Sequence, residues 1–117
     1  MHKLDISTFQ FTNRRVQQEK DGSQTTVRDQ EDYPFIDNLT DIVLRGNRDI
    51  KASAWLKAAR VIDKLMTAET NEQESVVLED AEWKELVDGL DGFTELSGYA
   101  HYEMVRRVME APEANDG

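Results

Sequence analysis

Trp55-Leu56-Lys57-Ala58-Ala59-Arg60-Val61-Ile62-Asp63-Lys64-Leu65-Met66 is the run from which the rest of the chain is read. Its apolar residues Trp55, Ala58, Ala59, Ile62, Leu65 and Met66 recur at steps of three and four, which lays them along one stripe of an α-helix. Lys57, Arg60 and Lys64 fall largely outside that stripe. The spacing predicts a helix from about Asp49 to Ala68, with Trp55, Ile62 and Leu65 turned into a core.

Toward the C-terminus, residues 70–75 are polar and acidic, and Val76-Val77-Leu78 is a short apolar run of extended character. Asp80 can cap a following helix, with Leu78 stapling back onto it. Trp83, Leu86, Val87 and Leu90 then form a second clean helical stripe, whose end Gly89 and Gly92 soften. A last helix is expected from about Thr94 to Ala111, with Leu96, Tyr99, Tyr102, Val105 and Met109 inward, before Pro112 stops it.

Toward the N-terminus, a helix is expected to start near Asp32, with Pro34 in its first turn and Leu39, Ile42 and Val43 on its stripe; Gly46-Asn47 ends it. Before it the period changes to two. Phe9 and Phe11 alternate with polar residues, Asp21-Gly22 signals a tight turn, and Thr25-Thr26-Val27 suits a return strand. Residues 5–29 therefore read as a β-hairpin that must lean on the helices. The expected fold is α+β: an N-terminal β-hairpin packed against a bundle of about four short helices. One domain spans 1–117, with the helical part over 32–111 and a frayed tail at 112–117.

The 117 residues carry a formal net charge of −10, and nearly all of it sits in residues 69–95, where ten acids stand against Lys84 alone. A stretch of that sign repels nucleic acid and attracts basic surfaces. Cysteine is absent, which excludes disulfides, thiolate metal sites and cysteine nucleophiles. With no apolar run of about 20 residues and no signal-like start, a soluble cytoplasmic protein is expected.

The usual chemistry is missing. His2 lies in a terminus expected to be mobile. His101 and Glu103 are two apart on a helix, a spacing that points them to different faces, so His101 reads as a solvated surface residue. Asp88-Gly89-Leu90-Asp91-Gly92 lacks the alternating oxygen ligands and closing Glu of a calcium loop. No phosphate-binding Gly-rich loop or nucleophile elbow is present. Arg14-Arg15 and Arg106-Arg107 are the only paired bases, too few for a nucleic-acid patch. The chain is therefore expected to be no enzyme, and to take no metal, no cofactor and no direct nucleic acid.

Residues 30–111 resemble small accessory proteins of tailed bacteriophages and prophages. The resemblance lies in an arrangement: a helix led by Tyr33, the Lys/Arg-rich helix Trp55 to Ile62, the segment Val77-Leu78-Glu79-Asp80-Ala81-Glu82-Trp83, and an aromatic-bearing last helix. Glu79 stands where such proteins often carry a small polar residue. The resemblance implies a non-enzymatic, protein-binding role, as a phage assembly or host-modulating factor in the host cytoplasm or the virion. It carries no site residues across.

The leading expectation is a protein–protein interaction module. Its partner, a protein with a basic surface, meets Glu79, Asp80, Glu82, Glu85 and Asp88, with Glu82, Glu85 and Asp88 pointing away from the core. An acidic mimic of nucleic acid, blocking a basic groove on a host nuclease or polymerase, is the alternative. Self-association is compatible with either.

Overall fold

Two separate two-stranded sheets and four helices make up the described part of the chain. The computed structural model describes residues 1–45, 51–93 and 101–114. In order these are β1 (His2–Asp5), β2 (Gln10–Gln18), β3 (Gln24–Asp32), α1 (Phe35–Arg45), α2 (Ala52–Thr70), β4 (Ser75–Leu78), α3 (Asp80–Asp91) and α4 (Tyr102–Met109). The fold is α+β.

The hairpin spans 10–32 rather than 5–29. Residues 2–5 leave it because they have another partner: β1 runs antiparallel to β4, with Leu4 opposite Val76 and His2 opposite Leu78. Both strands alternate, so His2, Leu4, Val76 and Leu78 are buried while Lys3 and Asp5 face out. A local turn ends β1, where Asp5 Oδ1 accepts from Ser7 N at 2.9 Å and from Ser7 Oγ at 2.6 Å. The outer edge of β1 is closed by the C-terminal segment: Lys3 N donates to Pro112 O at 2.9 Å and Ala114 N to Met1 O at 2.8 Å. Residues 112–114, expected to fray, are thus held by backbone bonds.

The hairpin turn is the one anticipated. Gly22 takes φ +87°, a conformation that costs an L side chain, and Glu19 N donates to Ser23 O. Only the base of the hairpin leans on the helices. There Phe9 stacks on the buried Tyr33 ring at 4.8 Å and Phe11 meets it edge-on at 5.7 Å. Farther out the return strand is exposed almost throughout and Val16 is 66% exposed. The radius of gyration is accordingly 17.0 Å, with a longest extent of 60 Å, against about 13 Å for a compact chain of this length. The hairpin is an arm.

Helix α1 starts at Phe35, three residues later than expected. Proline disfavours helical backbone in the residue before it, so Tyr33 stays extended and Asp32 remains the last residue of β3. The expected stop at Gly46-Asn47 lies outside the described residues. Phe35, Ile36, Leu39, Ile42 and Val43 form its buried face.

In α2 the buried line is Ala58, Val61, Ile62, Leu65 and Ala68. Trp55 and Met66, expected inside, are 43% and 40% exposed. They lie on the neighbouring line of the same helix. Alanines at 58 and 68 let the adjoining elements approach that side closely, so the core forms there and the large side chains are left at the rim. In α3, Leu86 and Leu90 are buried, and Trp83 and Val87 pack against the core from its edge. In α4 the buried pair is Met104 and Val108. Tyr102 is 55% exposed, and Val105 and Met109 are half-buried, so the expected stripe is rotated toward solvent. Thr94, Leu96 and Tyr99 lie outside the described residues. Among the described residues no helix is long and apolar enough to cross a membrane.

Candidate interaction surface

Helix α3 carries the five carboxylates singled out from sequence, and its start is built from two of them. Glu79, not Asp80, is the N-cap: its side chain accepts the Glu82 backbone N–H, and Glu82 Oε1 accepts the Glu79 N–H at 2.9 Å. This reciprocal pair satisfies two backbone donors that a helix start leaves open. Asp80 falls in the first turn, where the helix dipole favours an anion. It is 78% exposed and lies 2.9 Å from the Met1 amine and 3.5 Å from His2 Nε2. The bond from that amine holds the Asp80 carboxyl below its ordinary range.

His2 is not mobile. Its ring stacks on Trp83 at 3.9 Å and 14°, and Nδ1 donates to Ala111 O at 2.9 Å. Trp83 in turn donates Nε1–H to Val108 O at 2.7 Å. Through these contacts β1, α3 and the segment after α4 fix one another, which gives the acidic helix a rigid seat.

The five carboxylates do not all face solvent. Asp88 does, with Glu79 and Asp80. Glu82 and Glu85 are half-buried and turn toward α2. Lys64 Nζ donates to Glu82 Oε1 at 2.9 Å. Burial alone would raise the Glu82 pKa, but the Glu79 N–H and the Lys64 ammonium outweigh it and hold the carboxyl below the ordinary range. Glu85 borders a shallow groove of about 220 Å³ with Lys57, Arg60, Val61, Ala81 and Glu82. The basic row of α2 and the inner edge of α3 therefore offset each other, relieving the like-charge repulsion that so dense a run of acids would cause. Charge counting along the sequence locates both rows. That they face each other follows from helix packing and leaves no local signal.

His101 is more engaged than a solvated residue. Its Nδ1 lies 2.6 Å from the hydroxyl of Tyr33, a side chain 4% exposed whose phenol is pushed above its ordinary pKa by burial. Among the described residues no group of three His, Cys, Asp or Glu side chains is placed to hold a metal ion.

No family model, no curated protein and no solved structure matches the chain.

Proposed function

We propose that the chain is a non-enzymatic protein–protein interaction module whose partner brings a basic surface to α3. The observation that carries this reading is the outer face of α3. Leu86 and Leu90 anchor the helix in the core, while Glu79, Asp80, Asp88 and Asp91 stand in solvent on a helix whose start is capped. A fixed anionic face of this kind speeds encounter with a cationic partner more than it tightens the final complex. An assembly or host-modulating role, which the resemblance of residues 30–111 implies, is part of this proposal and rests on the sequence arrangement alone.

The nucleic-acid-mimic reading is the weaker one. A mimic presents carboxylates at phosphate-like spacing with no cations between them, whereas Lys57, Arg60 and Lys64 border the inner carboxylates here.

Capture from a lysate at low and high salt tests the proposal, comparing the native chain with an Asp88→Lys/Asp91→Lys variant. Glu82 is left intact because it caps the helix. Retained proteins should be basic, should be lost at high salt, and should associate with the variant roughly ten-fold more slowly. Equal capture rates at low salt would move the interaction off this face.

A further inference from the structure

We propose that the outer edge of β2 is a docking site for an extended acidic peptide, which adds to the arm as a third strand. This site is independent of the α3 face.

The ladder fixes which groups are available. Tyr33 N donates to Phe9 O at the base of the arm and Glu19 N to Ser23 O at its tip. Between them the register is unbroken from Gln10–Asp32 to Gln18–Gln24. In an antiparallel pair, hydrogen-bonded positions alternate with positions whose N–H and C=O point away. Phe9 and Glu19 face β3, so the odd-numbered residues of β2 do likewise. Gln10, Thr12, Val16 and Gln18 then present their backbone groups outward, and no described residue outside the arm makes a backbone hydrogen bond to them.

Natural edge strands are shielded by shortness, proline, bulges, charged side chains or a covering element, and of these β2 has the charges of Arg14-Arg15, which an acidic strand would neutralise. This one runs nine residues, with no proline and no bulge. At its base the edge is not flat surface. Gln10 and Thr12 line a groove of about 530 Å³ with Phe9 and Phe11, and Tyr102, Glu103 and Arg107 of α4 form its other wall. A strand edge and a helix flanking an open groove is the geometry in which peptides bind by strand addition: backbone bonds supply affinity and alternate side chains supply specificity.

The occupant's chemistry follows from charge. Strand β2 carries Arg14 and Arg15 and no acid, whereas β3, its partner on the other edge, carries Asp29, Glu31 and Asp32 against Arg28. The chain itself thus pairs β2 with a strand of net negative charge. A second acidic strand on the outer edge adds the third strand that a two-stranded ribbon needs for stability. Glu103 does not oppose it, because Arg106 and Arg107 hold its carboxylate.

The test uses the full chain and a synthetic peptide with the sequence of residues 24–32, the acidic strand that β2 pairs with on its other edge. Amide shifts on titration should move at Gln10, Thr12 and Val16 and not on α3, and binding should weaken as salt rises. Thr12→Pro removes one outward N–H and leaves the β2–β3 ladder intact, since edge strands accept proline where the N–H faces solvent. It should weaken binding at least ten-fold, as should Arg14→Glu/Arg15→Glu; circular dichroism and the Tyr33 and Trp83 resonances confirm that each variant is folded. Peptide binding that Thr12→Pro leaves unchanged, or no shifts at millimolar peptide, overturns the proposal. Concentration-dependent dimerisation of the chain alone, abolished by Thr12→Pro, would also overturn it, making a second copy the occupant.

Discussion

Gly89 sits inside α3, where a glycine ordinarily weakens a helix by about 1 kcal/mol relative to alanine. On an open helix face, Gly89→Ala would recover that amount. Here the added Cβ would lie 3.1 Å from both Cγ atoms of Val43 and 3.2 Å from its Cα. The side-chain contacts can yield by a small rotation, but the Cα cannot move without shifting α1 against α3. Overpacking of this kind costs roughly 1–3 kcal/mol. Set against the propensity gain, the expected result is a net loss of about 1 kcal/mol, a fall in melting temperature of roughly 3–5 °C for a chain of this size. Urea and thermal unfolding of Gly89→Ala, Val43→Ala and the double variant measure it. Val43→Ala removes two of the three close atoms, so the double variant should be more stable than the two single losses summed, by at least about 0.5 kcal/mol. A stabilised Gly89→Ala, or strict additivity in the cycle, would refute the close approach of α1 and α3.

Leu86 is fully buried, so Leu86→Ala should cost about 2–5 kcal/mol in urea unfolding; a loss under half a kcal/mol would place that stripe outside the core. The Glu82 carboxyl titrates below its ordinary value of 4.5 in the folded chain. Its contribution is therefore fully present above that pH and is lost as pH falls through the lower folded value. Melting temperature followed down from neutral pH should show a shallower acid limb for Glu82→Gln, together with lower stability at neutral pH from the lost cap and Lys64 pairing. Trp55 is exposed at the rim of α2 while Trp83 is covered by His2. Trp55→Phe should remove most of the acrylamide-quenchable fluorescence, and unchanged quenching would put Trp55 inside.

What could be read from the sequence was whatever local spacing encodes. The Leu86–Leu90 line, the Asp21-Gly22 turn and the helical run through Ile62 and Leu65 all stand where period and turn chemistry put them. Trp55 shows the limit of that reading. Periodicity identifies a line of apolar positions, but α2 has two adjacent lines, and the choice between them was made by how closely other elements approach the alanines. His2 shows another limit. His-Lys-Leu-Asp alternates weakly over four residues, and nothing near it names a partner strand at 75–78. The α3 carboxylates were found from charge alone. Their division into an outward set and a set facing α2 depends on which neighbour α3 meets.

The β1–β4 sheet has a bearing on the order in which the chain folds. The arm can close through one short turn and the helices through contacts nearby in sequence, but β1 must wait for a strand about 70 residues away. Closing a loop of that length is an entropic cost that local elements avoid, so such pairings tend to come late. Leu4→Ala should then speed unfolding and barely slow refolding, a φ-value near zero, whereas Leu65→Ala in α2 should slow refolding measurably. A late sheet also means that the seat of the acidic helix, with its His2–Trp83 stack, is completed only after the helices have gathered.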